Sequence, residues 1–201
     1  MTVHDVLFRP PIPRRLLAVL VQFPYYFHDE PKNRERIERI AEDFGDLPLV
    51  VEVRDSSWAE DDALAFLRAH DLNVACLDMP LAKRSFRAKA LSTGPLAYLR
   101  LHGRNYDSWF DRDAGRDDRY NYLYGEEEMD FTMERVDALR QEADRVVVIW
   151  NNHYGGKAVV NALECINRLT GQDVDVPPLL LKAFPRLEKM SRGGQGGLFE
   201  R

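Results

Sequence analysis

Residues 49–58 read Leu49-Val50-Val51-Glu52-Val53-Arg54-Asp55-Ser56-Ser57-Trp58, and the fold turns on how that stretch is understood. Its first half is a continuous Val/Leu run of the kind found in strands buried on both faces of a parallel sheet. Its second half breaks the pattern with a carboxylate and a guanidinium two residues apart. Alternate side chains of a strand share a face, so Glu52 and Arg54 point the same way. Four further apolar runs resemble it, at 16–23, 72–78, 96–102 and 146–151, and the fourth of the five also ends in charge, with Arg100 and His102 on one face.

Helical periodicity fills most of the gaps. After Pro31, residues Ile37, Ile40, Ala41 and Phe44 fall on one face before Gly45. Ser57 with Glu60 three positions on reads as a capping box that opens a helix through Leu64, Phe66 and Leu67. A more basic helix is expected over 80–91, closed by a turn at Thr93-Gly94-Pro95. Helices follow over about 126–143, on Met129, Met133, Val136 and Leu139, and before Gly171, on Val159, Ala162, Leu163, Ile166 and Leu169. Their methionines stand at core spacing.

Strands alternating with helices leave two architectures, an open doubly wound sheet or an arc of a β/α barrel. A complete barrel takes about 250 residues, and this chain has 201 with five visible strands, so counting favours the open sheet. The strand ends favour the barrel. Under a covering helix the paired charges would cost several kcal/mol unless compensated, whereas at a barrel mouth they converge on one another and on water.

The remaining composition narrows the class. Hydrophobic residues are 45% and charged residues 30%, as in chains that bury a core, with a formal net charge of -5. No apolar run is long enough to span a bilayer and no signal-like N-terminus precedes the first, so a cytoplasmic protein is expected, with no membrane partner. Cys76 and Cys165 fit neither a disulfide framework nor a paired-ligand zinc site and read as buried thiols. Glu52, Asp78, His102 and His153 are accepted metal ligands, yet their separation gives no compact signature; no metal or other cofactor is assigned.

Four ordered motifs carry a resemblance. Gln22-Phe23-Pro24, Glu52-Val53-Arg54 with Ser56-Ser57-Trp58, Arg100-Leu101-His102-Gly103-Arg104 and Asn151-Asn152-His153 are similar to motifs of the YecE-like family, domain of unknown function 72. Tyr122-Leu123-Tyr124 and Asn161-Ala162-Leu163 also fit. The resemblance covers about 16–171. It implies an α/β fold of TIM type, here an incomplete barrel of about five parallel strands corresponding to the C-terminal part of an eight-stranded one. Nothing before Leu16 matches the family's first strands, so either the chain is a fragment or shortened product, or the missing N-terminal strands come from another chain. The expected layout is an irregular lead over 1–15, the partial barrel over 16–185 and a Gly-rich tail over 186–201.

Barrel chemistry sits at the C-terminal strand ends, where these motifs fall. Glu52 and His102 are the candidate catalytic pair for proton transfer, against a structural ion pair and a satisfied histidine. Arg54 and Arg100 suit a carboxylate or phosphate, and Gln22, Asn152 and His153 complete the substrate-binding candidates, against strand-end capping. Asp78 reads first as a turn or cap residue. The glycines Gly155-Gly156 open the last helix, either as an anion site or as a tight turn. Aromatics and arginines of the 104–125 connection suit a sugar or base, or pack on the rim. The expected function is an enzyme acting on a small anionic or phosphorylated substrate. The alternative is a non-catalytic module bound to nucleic acid or, through Gln195, Leu198 and Phe199, which resemble a clamp-docking peptide, to a replication sliding clamp.

Overall fold

The computed structural model describes residues 16–87, 90–111, 113–115 and 117–192. The expected lead over 1–15 and the clamp-like residues Gln195, Leu198 and Phe199 lie outside them. Five strands are present: β1 Val19–Gln22, β2 Leu49–Glu52, β3 Asn73–Asp78, β4 Leu96–Leu101 and β5 Arg145–Trp150. They form one open sheet in chain order. β1 lies parallel to β2 with Val19 opposite Leu49 and Gln22 opposite Glu52, and β2 lies parallel to β3 with Val50 opposite Asn73. The chain is therefore an α/β protein, an unclosed TIM-type arc of five parallel strands.

Helices α1 Pro31–Phe44, α2 Asp61–Ala69, α3 Tyr106–Trp109, α4 Glu126–Glu142, α5 Lys157–Thr170 and α6 Pro178–Ala183 complete it, with short 3-10 turns between them. The chain divides into two compact units, one of 16–77, 81–100 and 136–148, the other of 78–80, 101–135 and 149–192.

In the first unit the strands are held by burial. Every residue of β2 is buried, and Val51, Val53, Trp58, Leu67, Val74 and Phe86 share one core with Ile37 of α1. Ile40, Ala41 and Phe44 pack on the same core, as the periodicity requires. Each fully buried aliphatic side chain is worth about 1.5–3 kcal/mol of transfer free energy, which fixes the strand faces. In the second unit Tyr124, Met129, Val160 and Leu187 are buried. Cys76 and Cys165 are both buried and neither is in a disulfide.

Three local expectations are corrected. The capping box does not form: Ser56–Ala59 is a 3-10 turn capped by the Asp55 side chain, which accepts from Ser57 N, and α2 begins at Asp61. Ser57 Oγ instead accepts from Asp29 N at 2.8 Å. No helix forms over the described residues between 80 and 91, because that connection is tied down by longer-range bonds. Ser85 bridges Asp55, and Phe86 N donates to Arg54 O at 2.8 Å. The third correction concerns α5, whose buried face carries Val160, Asn161, Glu164 and Cys165 while Val159, Ile166 and Leu169 are exposed. Asn161 and Glu164 tolerate burial because each is hydrogen-bonded, Glu164 bidentately by Arg186.

Candidate functional site

In the first unit, β1 ends on Gln22, β2 on Glu52, and Arg100 is the last residue but one of β4. Glu52 is completely buried. Arg54 donates to its Oε1 from Nε at 3.2 Å and from Nη2 at 2.9 Å. Arg100 donates from Nη1 to Glu52 Oε2 and, at 2.7 Å, to Gln22 Oε1.

This convergence has a geometric cause. Side chains stand roughly perpendicular to a sheet, and strands two and three places apart in a flat sheet are separated by about 10 and 14 Å. β4 is two places from β2 and three from β1. The tips of Gln22, Glu52 and Arg100 meet because the sheet curves with these three residues on its concave face. Two guanidiniums and one carboxylate leave one net positive charge among the named groups, and the side chains of Arg54 and Arg100 are 18% and 13% exposed. Nη1 of Arg54 makes no hydrogen bond among the described residues. Next to them on β4, Tyr98 has its hydroxyl pushed above the usual phenol range by burial.

The second unit holds another buried carboxylate. Asp78, the last residue of β3, is neither a turn nor a cap residue: Arg104 grips it with Nε on Oδ1 at 2.8 Å and Nη2 on Oδ2 at 2.7 Å. Arg135 Nη1 donates to Oδ2 at 3.0 Å and the Tyr124 hydroxyl to Oδ1 at 2.8 Å. Burial works to raise this carboxyl's pKa, but the Arg104 bonds, the charges of Arg104 and Arg135 and the Tyr124 bond outweigh it and hold the group below the usual carboxylate range. Burial, with Asp78 adjacent, drives Tyr124 well above the phenol range. Tyr122 is pushed up to about 12, by burial and then by its bond to Glu128. Of these partners, Arg104 and Tyr124 stand inside the family-like motifs, whereas Arg135 sits mid-helix and nothing in its local sequence marks it.

His102 follows β4 in this unit and is buried. The Asn151 amide nitrogen donates to its Nδ1 at 3.1 Å, which places the proton of the neutral ring on Nε2. Trp109 meets the His102 ring edge-on at 5.9 Å between centroids, and Tyr120 lies at 6.1 Å. The 104–125 connection thus packs at least two of its aromatics against His102. Exposed His153 is bonded through Nδ1 to Asn151 O at 3.0 Å. Asn152 is completely buried, and its amide nitrogen donates to Tyr122 O at 2.8 Å and Asn161 Oδ1 at 2.9 Å. Gly103 permits this arrangement: its φ is 95°, and a Cβ there would stand 2.7 Å from Tyr122 Cβ. Gly156 caps α5 in the left-handed region and donates from N to His153 O at 3.3 Å, the geometry of a tight turn. Among the described residues no three His, Cys, Asp or Glu side chains are grouped as a metal site would require, and no helix is long and apolar enough to cross a membrane.

Residues 8–186 match the family model described as "Protein of unknown function DUF72", so the chain belongs to the DUF72 family. It is 28% identical over 179 residues to UPF0759 protein YunF of Bacillus subtilis (strain 168), covering 85% of this chain and 64% of that protein. A DUF72 family crystal structure from Thermotoga maritima MSB8 superposes with a TM-score of 0.69 at 37% identity, over 75% of this chain and 56% of that one. Another from Enterococcus faecalis V583 gives a TM-score of 0.71 at 32% identity, over 81% of this chain and 61% of that one. The chain therefore spans less than two thirds of the length of each of these relatives.

Proposed function

We propose that this DUF72 member takes part in an enzyme that binds a small anionic or phosphorylated molecule at the C-terminal ends of its strands. The carrying observation is the pair of guanidiniums drawn onto the single buried carboxylate of Glu52. Arg54 and Arg100 hold the anion, and Gln22 sets the position of Arg100. Glu52 keeps both guanidiniums in place and becomes the proton acceptor when the substrate's own charge draws one of them away. In the second unit, His102 is the proton donor, its Nε2 buried and its ring oriented by Asn151. His153 contributes the exposed contact there, and Asn152, tied to Tyr122 O and Asn161 Oδ1, holds the segment that carries His153.

Titration of the full chain with inorganic phosphate by calorimetry tests the reading. Saturable binding is expected, weakened at least about tenfold in Arg54→Gln and in Arg100→Gln, as loss of one charge-assisted bond implies. Equal affinity in wild type and both variants rejects the assignment.

A further inference from the structure

A second constellation of the first unit lies outside the residues just assigned. It is built from three successive connections that follow strand ends. The β1–α1 connection supplies His28, the segment after β2 supplies Asp55 and Ser57, and the β3–β4 connection supplies Arg84. Asp55 is 1% exposed, and its Oδ1 receives Ser57 N at 3.0 Å and Arg84 Nη2 at 3.1 Å, with His28 Nδ1 at 3.2 Å. An imidazole and a guanidinium therefore flank one oxygen of one buried carboxylate. Both reach water, with side chains 37% and 63% exposed.

The frame around them is fixed by backbone bonds. Trp58 Nε1 donates to Phe27 O, Asn33 Nδ2 to His28 O and Asp29 N to Ser57 Oγ, each at 2.8 Å. Ser56 N donates to Arg84 O at 2.9 Å, and Tyr25 OH is hydrogen-bonded to Ser85 Oγ. The nearby Asp29 carboxylate is taken up by Arg34, which also pairs Asp62. Within this frame His28 Nδ1 is buried against Asp55, while Nε2 is not buried and makes no hydrogen bond among the described residues. His28 Nδ1 lies 3.2 Å from Asp55 Oδ1 without forming a hydrogen bond, a looseness that ligand-free acid–base pairs often show. A buried carboxylate this close to Nδ1 favours a proton there, the tautomer that leaves Nε2 as the base. Burial works against the ionised Asp55, but its bonds from Ser57 and the closeness of His28 outweigh that and hold it below the usual carboxylate range, so the partner is charged at neutral pH.

We propose that His28 and Arg84, mounted on Asp55, form a second anion site in which His28 Nε2 takes a proton from a bound phosphate-bearing molecule. With dihydrogen phosphate the bookkeeping is simple: the ligand O–H bond breaks, its proton bonds Nε2, and the resulting dianion lies between imidazolium and guanidinium. Asp55 balances one of the two cations and the dianion the other, with one net negative charge left over, the same sum as before the transfer.

Long-range proton–nitrogen NMR of the full chain tests this, with inorganic phosphate and acetate titrated separately. At rest, His28 should carry its proton on Nδ1. Phosphate should shift His28 Nε2 saturably toward the protonated position, and Arg84→Gln should weaken that response at least about tenfold, as loss of a charge-assisted bond implies. Asp55→Asn should abolish the tautomer preference; if that variant does not fold, the exposed Arg84→Gln variant carries the test alone. Acetate has no proton to give and should leave Nε2 where it is, so a response to phosphate alone supports the transfer and a response to acetate as strong as to phosphate overturns it. Arg54→Gln should leave the His28 response intact, which separates this site from the one proposed above. A resting Nε2–H tautomer, a His28 signal unmoved by phosphate, or an Arg84→Gln variant that responds like wild type overturns the inference.

Discussion

Glu52 and Asp78 are both buried carboxylates at strand ends, and both are gripped by two arginines, yet they are built for different ends. Around Asp78 the charges cancel: Arg104 and Arg135 face Asp78 and Glu128, the Tyr124 hydroxyl adds a bond, and Arg135 is itself 6% exposed. Around Glu52 two guanidiniums share one acid and both retain a path to water. A balanced, saturated network rigidifies a fold. Under the function proposed above, the Arg54–Glu52–Arg100 set is the one that meets a ligand. Exposure alone does not separate the two sets, since Arg104 is 28% exposed against 18% for Arg54 and 13% for Arg100; what differs is that Arg135 is buried with Asp78.

The sharpest contrast comes from deleting each acid. Asp78→Ala should cost about 3–5 kcal/mol in denaturant unfolding, because it strands Arg135 without its buried counter-ion. Glu52→Gln keeps shape and an acceptor, and its arginines can turn toward water, so about 1–3 kcal/mol is expected from the same measurement. Equal losses would erase the distinction. Gly103→Ala probes the second unit differently: a methyl forced against Tyr122 at φ 95° should cost about 1–3 kcal/mol, read as a lower midpoint.

Acid supplies the smallest and most general check. Asp78 and Asp55 both have folded-state pKa values below the ordinary carboxylate value. Their contribution is complete above the unfolded value of about 4 and is lost as pH falls through the depressed folded values. Unfolding free energy should therefore decline below about pH 4, and the Asp78→Ala variant should decline less steeply than wild type. Parallel slopes would remove Asp78 from the account.

Much of this was legible in the chain. The five strands and the motif-bearing ends follow from near-continuous Val, Ile and Leu runs cut off by charge, and the α1 face follows from its period. What failed did so for tertiary reasons. The Ser57 cap lost to Asp55, which sits one residue ahead of the turn and reaches Ser57 N first. The 80–91 helix lost to bonds from residues far away in sequence, with Thr93 Oγ1 donating to Leu72 O at 2.6 Å and Cys76 Sγ to Leu91 O at 3.2 Å. The α5 face was misassigned because apolar periodicity cannot see that Asn161 and Glu164 are satisfied by Tyr124 and Arg186. The Asp78 network and the His28–Asp55 contact were hidden for the same reason, since partners such as Arg135 and Arg84 carry no local signal.

The central claim is that sheet curvature brings the side chains of β1, β2 and β4 to one point. A double-mutant cycle on Glu52→Gln and Arg100→Gln, read by denaturant unfolding, tests it most directly. Coupling of roughly 1–3 kcal/mol is predicted for residues in one ion-pair network. Additivity within about 0.5 kcal/mol would mean that the two side chains do not meet, and the account of this site would fall with it.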